Sequence, residues 1–128
     1  MITVDTHAFT WWRTGSPKLG ADARRVLERH DEIGIADIVL WEIAMMAERG
    51  ALKLKASARD WINDALKDPR VVVLPITPAI AILAVAIGRA IHRDPADALI
   101  AATAMAHGVP LVTKDSGLEA IVGLEVIW

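Results

Sequence analysis

An alternation that runs the length of the chain restricts its fold more than any other feature. Short apolar runs without clean polar alternation, "ITVD" at 2–5, "EIGIA" at 32–36, "RVVVLP" at 70–75, "PLVTKD" at 110–115 and "LEVIW" at 124–128, are separated by stretches with helical patterning. A strand with one wet face carries a polar residue at every second position; strands without that rhythm are covered on both faces. Strands that alternate with helices and are covered twice form a parallel sheet. The expected fold is α/β, a short parallel β-sheet flanked by helices on both faces, as one domain over 1–128.

The intervening stretches carry their own start and stop signals. "ADARRVLERH" at 21–30 sets Ala23, Val26 and Leu27 on one face and Arg24, Arg25, Glu28 and Arg29 on the other, which is a surface helix. "IVLWEIAMMAERG" at 38–50 repeats Val39, Ile43, Met46 and Ala47 at helical spacing and ends at Gly50. A further helix runs from about Ser57 to Lys67, and another starts with Thr77 as cap and Pro78 as its first residue. The helix after Asp94 closes at Gly108, and a small helical turn occupies about 116–121.

Composition narrows the function. Hydrophobic residues make up 54% of the chain, yet the longest apolar run, "AIAILAVAIG" at 79–88, is half of the roughly 20 residues a membrane span needs, so a soluble protein without membrane contact is expected. The start lacks a secretory pattern and there are no cysteines, which fits a reducing, cytoplasmic location. A net charge of −2 excludes nucleic-acid binding through overall positive charge and leaves only a local patch. With aromatics at 5%, no extended stacking platform is visible.

In parallel α/β sheets ligands gather beyond the carboxyl ends of the strands, so polar residues there carry extra weight. Asp5 and Asp115 both follow strands. Each also has a local reading, Asp5 as a turn residue opening the next helix and Asp115 as a helix cap. Glu42 lies among Trp41, Ile43, Met45 and Met46 at the edge of an apolar stripe, and a carboxylate beside a core needs a partner or a cation unless it points to solvent. In "HRDPADALIAATA" at 92–104, Asp94 is explained as cap and Pro95 as first helical residue. Asp97, with Ala101 and Ala104 beneath it on an apolar helix, is less well explained by local rules and faces the strand ends.

If Asp5, Glu42, Asp97 and Asp115 converge, charge decides what sits among them. Two charges about 6 Å apart at an effective dielectric of about 20 repel by roughly 3 kcal/mol, and four such groups form six pairs. That sum rivals the roughly 5–15 kcal/mol stability of a whole domain, so some are protonated or a cation neutralises them. Carboxylate oxygens suit Mg²⁺ or Mn²⁺, whereas zinc favours His or Cys. His7, His30, His92 and His107 show no zinc spacing.

Taken together and in order, "VDTHAFTWW", "LWEIAMMAERGAL", "LPIT", "HRDPADALIAATA" and "LVTKD" closely resemble the motifs of PIN-domain ribonucleases, specifically the VapC-type toxins of toxin–antitoxin pairs. The resemblance implies a metal-dependent endoribonuclease with Mg²⁺ or Mn²⁺ at Asp5, Glu42, Asp97 and Asp115, supported by Asp94, Thr6 and Thr113. It implies an RNA substrate met by Arg13, Arg93 and Lys114, with "ERGALKLKASAR" at 48–59 as a more distant basic rim. An antitoxin partner packing near Trp11 and Trp12 and a homodimer are also implied. Ala98 departs from relatives that carry Arg directly after the metal aspartate.

Two other classes share parts of this pattern. A receiver-type phosphoacceptor domain needs an acidic pair after strand one and a Lys-Pro near the end, whereas here Asp5 stands alone and Lys114 precedes Asp115. A non-catalytic interaction module of the same fold is disfavoured by the retention of all four acids.

Overall fold

The computed structural model describes residues 1–91 and 94–128. Strands β1 (Ile2–Val4), β2 (Ile33–Ala36), β3 (Val71–Leu74), β4 (Leu111–Val112) and β5 (Val126–Ile127) pair in the order β3-β2-β1-β4-β5, every pair parallel. Helices α1 (Thr6–Thr14) and α2 (Ala21–Arg29) join β1 to β2, α3 (Ile38–Glu48) and α4 (Ala58–Ala65) join β2 to β3, and α5 (Pro78–Ile91) and α6 (Pro95–His107) join β3 to β4. A short 3-10 turn, Ser116–Ala120, precedes β5.

Burial follows the sheet order. β1, β2 and β4 are wholly buried, which is why their sequences lack polar alternation, while the edge strands β3 and β5 are only partly covered. The chain moves from β1 to β2 to β3 in one direction and then to β4 and β5 in the other. α6 packs on α5 and also meets α3, and the direction reverses between β1 and β4. Such a reversal opens a crevice at the carboxyl ends of the two strands, where Asp5 and Thr113 emerge.

Small residues set the close approaches. A Cβ added at Gly34 in β2 would lie 2.7 Å from Leu74 Cδ1, so this position admits only glycine without displacing β3's side chain. On α6, Ala101, Ala102 and Ala104 are fully buried and Ala98 nearly so, and a Cβ on Gly88 of α5 would meet the Ala98 methyl at 3.8 Å. α6 is thus a central helix, as its almost unbroken apolar sequence indicates. Its ends are set as expected: Asp94 accepts the Ala96 N–H at 2.8 Å, Pro95 opens the helix, and Gly108 closes it at φ 63°.

Two expectations shift at their edges. α4 ends at Ala65 rather than near Lys67, because Lys67 N–H turns inward to Asp64 O at 3.1 Å and tightens the last turn. In α3, Val39 and Ile43 are buried, whereas Met46 and Ala47 are only half-buried where the helix overhangs a cleft lined by Ala47, Leu52 and Ala58. Among the described residues no helix is long and apolar enough to cross a membrane.

Candidate active site

The register between β1 and β4 builds the site. Val4 pairs with Val112, so the next residues, Asp5 and Thr113, leave the sheet side by side. The Asp5 N–H still donates to Val112 O at 3.0 Å, which fixes its backbone to β4. Its Oδ1 accepts the Ala8 N–H at 2.7 Å, capping α1, and its Oδ2 accepts the Thr113 hydroxyl. The same Thr113 oxygen accepts the Asp115 N–H at 3.0 Å, and Asp115 Oδ1 accepts the Gly117 N–H at 2.9 Å. The local cap readings of Asp5 and Asp115 are therefore both realised, and the caps hold the two carboxylates at the strand ends.

α3 brings the third acid. The Thr6 hydroxyl, buried at the start of α1, donates to Glu42 Oε1 at 2.5 Å. Glu42 is half-buried, between the buried Val39 and Ile43 turns and solvent. Asp97 occupies the first turn of α6 and is also half-buried; Asp94, three residues earlier, is exposed. Thr6 and Thr113 thus hold carboxylates directly, as a supporting role requires.

Asp5, Asp97 and Asp115 line one pocket of about 540 Å³ together with His7, Trp11, Lys114 and Leu118. Its volume falls within the roughly 300–1,000 Å³ usual for ligand sites. Burial pushes the Asp5 carboxyl above its usual range, with the nearby Asp97 charge adding to the rise, against the lowering by the Thr113 and Ala8 hydrogen bonds. Glu42 is raised for the same leading reason, and Asp97 and Asp94 contribute. The Asp97 charge therefore bears on both Asp5 and Glu42, although Glu42 does not line the pocket itself.

Among the described residues no three His, Asp or Glu side chains lie close enough to share one ion. Mg²⁺ is commonly held by one or two carboxylates and keeps several waters, so a pocket with a buried, charge-crowded carboxylate and further carboxylates on its walls fits such a cation. The three aspartates offer oxygen donors, which match a hard divalent ion, and His7 is the one imidazole among the described lining residues.

The expected RNA contacts separate. Lys114 lines the pocket, whereas Arg13 does not; it sits in the last turn of α1 and pairs with Asp68 Oδ2 at 2.9 Å. Asp68 also binds Arg70 at 3.0 Å, and both guanidiniums lie over the Trp12 ring at 5.3 and 5.1 Å. Arg93, like His92, lies outside the described residues. Lys53, Lys55 and Arg59 of the basic rim are exposed. Ala98 is buried beside Gly88 on the α5 side of α6, so the departure at that position falls outside the pocket lining.

The two tryptophans also part company. Trp12 packs on Phe9 and the two arginines, while Trp11 reaches the acidic pocket. Sequence reasoning overlooked His7, Trp11 and Leu118 as pocket residues. The signal for the first two was available: positions 7 and 11 are one helical turn apart on a helix that starts at the pocket.

An open parallel sheet with carboxylates gathered where its strand order reverses defines a class of small acidic-pocket α/β domains. The PIN domain family model matches residues 2–124, and the chain belongs to the PIN domain family. It is 36% identical over 119 residues, 93% of this chain and 90% of the relative, to ribonuclease VapC22 of Mycobacterium tuberculosis (strain ATCC 25618 / H37Rv). DNA-bound VapBC from Salmonella typhimurium shares the fold at TM-score 0.73 and 23% identity, over 99% of this chain and 98% of that one. VapBC2 from Rickettsia felis, bound to a DNA fragment from its promoter, does so at TM-score 0.73 and 20% identity over the same shares.

Proposed function

We propose that this chain is a divalent-metal-dependent endoribonuclease that hydrolyses RNA phosphodiester bonds and acts as the toxin of a toxin–antitoxin pair. The observation that carries the reading is the placement of Asp5, Asp97 and Asp115 on one pocket at the β1–β4 reversal of a PIN domain, with Glu42 coupled to Asp97. Its likeness to a ribonuclease over most of the chain supports the substrate class. Neighbouring folds described as toxin–antitoxin complexes support the partner.

Asp5, Glu42, Asp97 and Asp115 would hold Mg²⁺ or Mn²⁺, one or two carboxylates touching an ion directly and the others through its waters. When bound, the cation lowers the pKa of water and stabilises charge on phosphoryl oxygens. The chain's own part is to keep the carboxylates ionised and aimed. The Thr113 hydroxyl and Ala8 N–H favour the charged form of Asp5, and the Thr6 hydroxyl favours that of Glu42, each opposing burial. Lys114 offers a cation to a substrate phosphate at the pocket wall. Hydrolysis needs no side-chain nucleophile, because water supplies the attacking oxygen and the departing ribose oxygen takes a proton.

An antitoxin segment covering α1 at Trp11 would close the pocket to RNA. Titration calorimetry of the purified, antitoxin-free chain with Mn²⁺ tests the metal reading: binding that is lost in Asp5→Ala supports it, and the absence of any binding heat contradicts it.

A further inference from the structure

We propose that Trp11 is a substrate-positioning platform on which one unpaired base of the RNA stacks while an adjoining phosphate meets the Lys114 ammonium. The inference rests on the ribonuclease reading above and assigns how that site holds its substrate.

Few of the pocket's described side chains are cationic. Three aspartates line it, the chain is net −2, and RNA arrives as a polyanion. Of the cationic side chains expected to greet it, Arg13 is turned to Asp68, and Lys114 is the one Lys or Arg in the pocket lining among the described residues. A ring is the complementary handle, because stacking on an aromatic face is indifferent to the phosphate charge and works with any base.

Among the described residues Trp11 is the one large aromatic of the lining, and it is only half-buried. The side chain is held without being stacked. Trp128 meets it at 5.8 Å with ring planes 66° apart, and His7, one turn earlier on the same face of α1, meets it at 5.5 Å with planes 48° apart. Neither contact is a parallel stack that would occupy the ring as a base does. Lys114 Nζ lies 6.0 Å from the indole centroid, at the outer limit of cation–π contact, so the ammonium and the ring are presented together. Trp12 is also half-buried but does not line the pocket, and two guanidiniums that share Asp68 lie over its ring.

A base can lie against this wall only if it has left its duplex stack, so the nucleotide on Trp11 is an unpaired one. Base–aromatic stacking of about 1–3 kcal/mol corresponds to a roughly 5- to 150-fold effect on rate.

The test uses the full chain, free of antitoxin, with Mn²⁺ and a random-sequence pool of short single-stranded oligoribonucleotides. Sequencing the products locates the cut, and an oligonucleotide carrying that cut is then remade with one abasic position at a time. In the wild type, one abasic position near the cut is expected to lower kcat/KM by roughly 5- to 150-fold. Trp11→Leu is expected to lose a similar factor on the intact oligonucleotide and to be indifferent to the abasic change, while Trp11→Phe and Trp11→Tyr retain most activity. All variants are compared by thermal melting; if Trp11→Leu fails to fold, the wild-type scan and the Trp11→Phe comparison decide. A flat abasic scan in an active wild type overturns the inference alone. So does a folded Trp11→Leu that cuts normally, including one that loses only affinity for an antitoxin. A wild type that cuts total cellular RNA but nothing in the pool overturns this inference alone; one that cuts neither overturns the ribonuclease reading and this inference with it.

Discussion

The Thr113 hydroxyl donates to Asp5 Oδ2 and accepts the Asp115 N–H at 3.0 Å, so one side chain ties the ends of β1 and β4 across the point where the sheet changes direction. Thr113 is almost wholly buried, and replacing it with valine keeps the shape but leaves a carboxylate oxygen and an amide without this partner. Thr113→Val is expected to cost about 1–3 kcal/mol in urea unfolding and to lower cleavage, whereas Thr113→Ser keeps both. Equal stability and activity in the valine variant would remove Thr113 from the support of the site.

The raised carboxyls make a pH prediction with a definite sign. Burial lifts Asp5 above its ordinary 3.8 and Glu42 above its ordinary 4.5. Above those ordinary values the folded chain still holds protons that the unfolded chain has lost, so stability is fullest in acid and falls as pH rises through the raised values. The metal-free protein should therefore lose melting temperature as pH rises through the raised carboxyl values. Asp5→Asn, which preserves the cap to Ala8, should flatten that slope and raise the melting temperature at pH 7 while abolishing cleavage. A melting temperature that climbs steadily with pH through that range in metal-free wild type would contradict this.

Asp94 and Asp97 separate by substitution. Asp94 caps α6 through Ala96 N–H, so Asp94→Ala should cost about 0.5–2 kcal/mol and Asp94→Asn little. Asp97→Asn should leave the fold intact, as read by circular dichroism and melting, and abolish cleavage. Full activity in Asp97→Asn would take it out of the site.

Arg13, Arg70 and Trp12 gather on Asp68, whose side chain is 13% exposed. The Arg70 hydrogen bond, aided by Arg13, holds the Asp68 carboxyl below its usual range. That contribution is present above the ordinary value of 3.8 and is lost as pH falls through the lowered one, the reverse of Asp5. Asp68→Ala should destabilise by about 1–3 kcal/mol, and Arg13→Ala should leave RNA cleavage unchanged at a temperature where the variant is folded. A large loss of cleavage in folded Arg13→Ala would restore Arg13 to the substrate path.

The sheet was legible because its central strands are buried on both faces and its helices carry their own punctuation, with Asp94-Pro95 and Gly108 marking α6 to the residue. Asp5 and Asp115 stood out as strand-end residues, Asp97 as a helix-start residue and Glu42 as a carboxylate at the edge of an apolar stripe. What escaped was which way each neighbour turns. Arg13 stands eight positions from Asp5, but α1 carries it about 12 Å along its axis, to the other end of the helix and to Asp68. Trp11 and Trp12 are adjacent in sequence, and the 100° turn between them sends one ring to the pocket and the other to the arginines. Both outcomes depend on partners such as Asp68, Arg70 and Trp128, distant in sequence and marked by no local pattern.

The central claim meets its most direct test in total cellular RNA incubated with the purified, antitoxin-free chain. The account predicts discrete cleavage with Mg²⁺ or Mn²⁺ that stops when the metal is chelated and is absent in Asp97→Asn. RNA left intact in the presence of either ion, or cut equally well under excess chelator, would contradict it.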